Sequence, residues 1–103
     1  MSVINLNREN FESEVVKSNQ TVIVDFYATW CAPCRMMSPI IDAIAEELNG
    51  TIKVGKVDCD ENQELAISYS VMSIPTIIIF KEGKVAKQFV GVTDKTELME
   101  AIK

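Results

Sequence analysis

The stretch Thr21-Val22-Ile23-Val24-Asp25-Phe26-Tyr27-Ala28-Thr29-Trp30-Cys31-Ala32-Pro33-Cys34-Arg35 decides how this chain folds. From Thr21 to Ala28 it is almost continuously apolar and rich in β-branched side chains, the pattern of a strand covered on both faces in a partly parallel sheet. One residue, Asp25, interrupts it. From Pro33 to Leu48, Met36, Met37, Ile40, Ile41, Ile44, Ala45 and Leu48 recur at helical spacing, and Asn49-Gly50 supplies a stop. Pro39 should kink this helix, because it lacks a backbone donor and crowds the preceding turn. Cys31 and Cys34 therefore stand where a strand ends and a long helix begins.

Working outward, Val3 to Leu6 forms a short edge strand, and Asn7 caps a helix running to about Ser18. Leu6 and Phe11 are placed as a hydrophobic staple, with Phe11, Val15 and Val16 on one side of that helix. Thr51 to Asp58 alternates into a strand, and Glu61 to Tyr69 gives a short helix. Two further strands, Thr76 to Lys81 and Val85 to Val90, are joined by Glu82-Gly83-Lys84, a connection short enough to demand an antiparallel hairpin. Asp94 with Glu97 three residues later resembles a capping box, opening a last helix that turns Leu98, Met99 and Ile102 inward. The order β-α-β-α-β-α-β-β-α predicts an α/β fold, a central mixed five-stranded sheet flanked by four helices. Two right-handed crossovers make its first part parallel and the hairpin its last part antiparallel.

Composition narrows the chemistry. With 103 residues, 48% hydrophobic and 24% charged, residues 1–103 are expected to form a single domain. No repeat, linker or low-complexity segment divides them. The net charge is −5 and the ten Lys and Arg are scattered, so nucleic acid and anionic membrane surfaces are not expected partners. No apolar run approaches the roughly 18 residues of a membrane span. Met1 to Asn10 lacks the apolar stretch of a secretory leader, which points to a cytoplasmic protein with reduced thiols. There is no histidine, which removes Ser-His-Asp and Cys-His catalysis and His-ligated metals. Carboxylate, thiol and lysine chemistry remain.

The three cysteines are Cys31, Cys34 and Cys59. At a helix N-terminus, unpaired N–H groups and the positive end of the helix dipole make a sulfur easier to ionise. Pro33 suits the first helical position, where its missing donor costs nothing, and would stiffen the ring of a Cys31–Cys34 disulfide. Redox use is the favoured reading, against a purely structural bridge or half of a zinc site. A bridge closing about four residues stabilises by only about 2 kcal/mol. Zinc would need Cys59 and a carboxylate to complete its four ligands. Cys59 itself reads as a partly buried, inert thiol, and Met36 and Met37 as core or kink filler.

The segment Asp25 to Cys34, with Lys56, Ser73-Ile74-Pro75-Thr76, Gly83 and Gly91, resembles the thioredoxin family over the whole chain. Ala32 departs from the usual Gly of that family, and Tyr27 from a frequent Trp. The resemblance implies a general protein-disulfide reductase and assigns roles. Cys31, exposed at the helix start, would be the attacking thiolate, in a setting for which thioredoxins are a standard example. Cys34 would be the more buried resolving thiol. Asp25, raised toward neutrality by burial, would accept its proton, with Lys56 as the charge partner moderating Asp25. Arg35 adds positive potential beside the thiols and points to solvent. The resemblance makes Ile74-Pro75 a cis bond facing the disulfide, leaving the Ile74 backbone free to pair with an extended target. Trp30, Ala32, Pro33, Ile74, Pro75, Val90, Gly91 and Val92 would form the substrate-binding rim.

It further implies a monomer that needs no cofactor beyond its redox-active disulfide and binds no metal. Its partners would be a thioredoxin reductase and disulfide-containing targets such as ribonucleotide reductase, peroxiredoxins and methionine sulfoxide reductase. Two rivals share the fold. A dithiol oxidant or isomerase is disfavoured because no His lies between the cysteines. A redox-sensitive binding subunit would show no turnover in an insulin-reduction assay.

Overall fold

The computed structural model describes residues 3–103. Met1 and Ser2, the start of the segment read as carrying no leader, lie outside the described residues. The strands are β1 (Val3–Leu6), β2 (Val22–Tyr27), β3 (Lys53–Asp58), β4 (Thr76–Lys81) and β5 (Lys84–Val90). Between them run a π-helix (Glu12–Val16) and the helices α1 (Ala32–Glu47), α2 (Gln63–Ser68) and α3 (Lys95–Ala101). The sheet order is β1-β3-β2-β4-β5. β1, β3 and β2 are parallel, while β4 and β5 are antiparallel to their neighbours, which is the expected mixed sheet with four helices.

Strand alternation divides the core between the two faces. Val22, Val24, Phe26, Val57, Ile78 and Phe80 pack with Leu6, Phe11 and Val15 on one face, where Leu65 of α2 joins them. Ile23, Val54, Ile77 and Ile79 pack against Met37, Ile41, Ile44 and Ala45 of α1 and Leu98 of α3 on the other. Each such fully buried aliphatic or aromatic side chain contributes about 1.5–3 kcal/mol. The central strand β2 has both faces covered, which is why its sequence lacks alternation.

Several local expectations change. Asn7 does cap, its Oδ1 accepting from the N–H groups of Glu9 and Asn10, but the helix that follows is a π-turn of five residues. Phe11 and Val15 are buried there while Val16 is exposed. Successive helical side chains point about 100° apart, and here Val15 turns to the core while Val16 falls at the edge of the buried face. The same geometry leaves Met36 exposed beside the buried Met37, so Met36 is not core filler. Asp94 occupies the N-cap of α3 without a side-chain cap hydrogen bond. A capping box pairs a hydroxyl with a Glu, whereas Asp94 and Glu97 are two carboxylates.

α1 runs unbroken through Pro39. In the hairpin, Lys81 pairs with Lys84, so the loop is only Glu82-Gly83, with φ of 53° and 80°. Such positive angles at both central positions build the two-residue turn that matches strand twist. A Cβ on Gly83 would strike the carbonyl oxygen of Val16, so the hairpin tip lies directly on the end of the π-helix.

Candidate active site

β2 delivers Asp25 to mid-sheet and ends at Tyr27. A turn through Thr29 and Trp30 then brings Cys31 to the N-cap of α1, in extended conformation. Its Sγ accepts the backbone N–H of Cys34 at 3.2 Å, satisfying one of the donors a helix start leaves open. Pro33 is the second helical residue rather than the first, still within the turn whose N–H groups have no helical acceptor. Cys31 and Cys34 are joined in a disulfide, their Cα atoms 5.2 Å apart.

Cys31 is only 5% exposed and Cys34 3%. The expected exposure of Cys31 is thus not seen in the disulfide-bonded form. Its Sγ lies 3.9 Å from the carbonyl oxygen of Ile74, and Ala28, Tyr27 and Ile74 pack around the pair. The Ile74–Pro75 bond is cis. Pro75 is buried, and its carbonyl accepts the N–H of Gly91 at 2.8 Å, tying the end of β5 to this loop. The N–H of Ile74 has no partner among the described residues.

Around the disulfide, Trp30 is 67% exposed and Val90 64%, so Val90 is a surface residue and not part of the core. Ala32, Pro33 and Val92 are exposed too, with Ile74 and Gly91 half-buried. The end of β2, the start of β4 after Pro75 and the end of β5 meet at one end of the sheet, Phe26 pairing with Thr76 and Thr76 with Val90. Sequence reasoning missed Asp60, whose Oδ2 accepts the indole N–H of Trp30 at 2.8 Å. Nothing in the acidic run Asp58 to Glu61 marks that contact, which depends on the loop after β3 folding toward Trp30.

Asp25 is 3% exposed, and its Oδ1 is buried without a hydrogen-bond partner. Burial pushes its pKa from 3.8 up to about 7, opposed by Lys56 and assisted by Asp42. It is not a solvated strand-end residue. A cleft of about 250 Å³, lined by Asp25, Cys34, Lys56, Tyr27, Ala28, Thr29, Arg35 and Ser38, connects the carboxyl with the second cysteine. Lys56 is in register with Asp25 on β3 but forms no ion pair among the described residues. Its Nζ stands 5.3 Å from the centre of the Tyr27 ring. The exposed Arg35 side chain donates to the carbonyl of Thr29 at 3.0 Å.

Cys59 is half-buried against the opposite core, with Leu65, Tyr69 and Val71. Burial, then Asp58, Asp60 and Asp25, push its thiol up to about 11. Cys59 and the disulfide thus belong to different packing clusters, and no metal-holding group of three His, Cys, Asp or Glu occurs among the described residues. Nor is any described helix long and apolar enough to cross a membrane.

A helix-capping disulfide beside a buried carboxyl, at the end of a mixed sheet, is the arrangement of a thiol-disulfide redox protein. The family model for thioredoxin matches residues 2–103. The chain is 43% identical over 102 residues to a thioredoxin of Pyropia yezoensis, covering 99% of this chain and 95% of that one. It is 45% identical over 98 residues to a thioredoxin of Rickettsia bellii, covering 95% and 93%. It is 47% identical over 92 residues to thioredoxin 1 of a Nostoc species, covering 89% and 86%. The chain belongs to the thioredoxin family of thiol-disulfide oxidoreductases.

Proposed function

We propose that this chain is a general protein-disulfide reductase that carries electrons from a thioredoxin reductase to disulfide-bonded targets, as a cytoplasmic monomer. The observation that carries the reading is the Cys31–Cys34 disulfide at the start of α1, with the Asp25 cleft opening onto Cys34. In the reduced protein, the Cys31 thiolate attacks one sulfur of a target disulfide. A new S–S bond forms, the target bond breaks, and its electron pair leaves on the second target sulfur, which takes up a proton.

Cys34 then surrenders its proton and attacks the Cys31 sulfur. The mixed disulfide breaks, its electron pair leaves on the first target sulfur, and the chain ends as the disulfide. Two electrons and two protons from the reductase restore the dithiol. Asp25, with a pKa of about 7, accepts the Cys34 proton near neutrality, and the 250 Å³ cleft has room for a water to relay it. Lys56 moderates Asp25 by its positive charge. The Ile74 N–H offers a strand-like hydrogen bond to an extended target segment, which asks little of target side chains. Trp30, Ala32, Pro33, Pro75, Val90, Gly91 and Val92 form the apolar surface around that contact.

Reduction of insulin by catalytic protein with dithiothreitol as electron donor tests turnover. Trapping on a Cys34→Ser variant tests the intermediate, since targets should accumulate as mixed disulfides on Cys31. An absence of turnover, or capture on Cys59 instead, would remove the proposal.

A further inference from the structure

Tyr27 follows Asp25 by two residues on β2, so both side chains lie on the same face of the sheet. Lys56, registered with Asp25 on the neighbouring parallel strand, shares that face. Strands are about 4.8 Å apart, within reach of a direct ion pair between a lysine and an aspartate side by side. No such pair forms. The ammonium of Lys56 is over the Tyr27 ring at 5.3 Å, and Oδ1 of Asp25 stays buried and unpartnered.

We propose that Tyr27 is a positioning residue, its ring holding the Lys56 ammonium away from Asp25 so that the carboxyl remains unpaired. A ring face attracts a cation through its quadrupole, most strongly where water is partly excluded, and Tyr27 and Lys56 line the same cleft. An ion pair would hold Asp25 ionised, whereas a carboxyl that gains and loses protons in turn needs neither state locked. This deepens the assignment of Asp25 as proton acceptor and rests on it. The charged or titratable groups near Asp25 include Lys56 and Asp58 on β3, Cys59 just after that strand, Tyr27 on β2 itself, and Cys34, Arg35 and Asp42 on α1. β4 presents the apolar Ile77 opposite it.

The test is the titration of Asp25, followed by NMR of its side-chain carboxyl carbon in the disulfide-bonded protein without substrate. Tyr27→Leu should lower its midpoint by about half a pH unit, the size of a modest cation–ring attraction. Tyr27→Phe, which keeps the ring, should leave it in place, and Lys56→Met should raise it. In the Lys56→Met background, Tyr27→Leu should have no effect. A shift that persists without Lys56 would mean that Tyr27 acts by excluding water, and would overturn the proposal, as would no shift or an equal shift in Tyr27→Phe. Should Tyr27→Leu fail to fold, Tyr27→Met serves the same comparison. The proton-acceptor assignment fails separately, if Asp25→Asn reduces target disulfides at the wild-type rate.

Discussion

The backbone N–H of Cys34 points at the sulfur of Cys31, so one cysteine caps the helix that carries the other. After reduction, a negative sulfur at Cys31 keeps that donor and the positive end of α1, while Cys34 sits a turn further in. Substoichiometric iodoacetamide on the reduced protein, mapped by mass spectrometry, should label Cys31 first and Cys34 much more slowly. Cys59, with its thiol pushed up to about 11, should label last near neutral pH. Dominant labelling of Cys34 would reverse the assigned roles.

Asp25 makes stability depend on pH in a definite direction. Its folded pKa of about 7 lies above the unfolded value of 3.8, so the folded chain keeps a proton that the unfolded chain has already released. Stability is therefore full below about pH 4 as far as this group is concerned, and falls as pH rises toward 7. The loss is about 4 kcal/mol at the upper end of the window. Asp25→Asn should abolish this slope and be the more stable protein at pH 8 in urea unfolding, while resolving mixed disulfides more slowly. A wild-type slope in the variant would show that another group sets it.

Gly50 and Gly83 both have strongly positive φ, yet they should respond differently to alanine. Around Gly50 there is open space, and the cost should be the backbone penalty alone, about 1–2 kcal/mol. At Gly83 the new methyl also meets the Val16 carbonyl, so Gly83→Ala should cost clearly more. Urea midpoints of the two variants provide the comparison.

The Trp30–Asp60 hydrogen bond fixes the largest exposed ring beside the disulfide. An interaction of this kind is worth about 0.5–1.5 kcal/mol, so Asp60→Ala should lower kcat/KM for protein disulfides a few-fold. Small disulfides, which do not span the rim, should be affected less. Equal losses for both would place the effect at the sulfurs instead.

The sequence made β2 and α1 legible because each has a single dominant pattern, an unbroken β-branched run and an apolar helical repeat. Their junction located Cys31 and Cys34. What stayed hidden depends on neighbours distant along the chain. Val16 and Met36 are apolar and adjacent to core positions, and only the helix phase decides that they face out. The burial of Cys31 depends on the Ile74 loop lying over it. That Lys56 turns to Tyr27, although strand register sets it beside Asp25, is a tertiary arrangement that no local pattern encodes.

An odd number of thiols would ordinarily let a disulfide wander, each free sulfur displacing one partner of the bonded pair. Here the third thiol is set apart in packing and in reactivity. Cys59 packs on the core cluster that Leu65 and Tyr69 also join, away from the cluster of Cys31 and Cys34, and its raised pKa keeps it protonated and poorly nucleophilic near neutrality. The described chain thus holds one disulfide, Cys31–Cys34, with its remaining thiol kept protonated near neutrality.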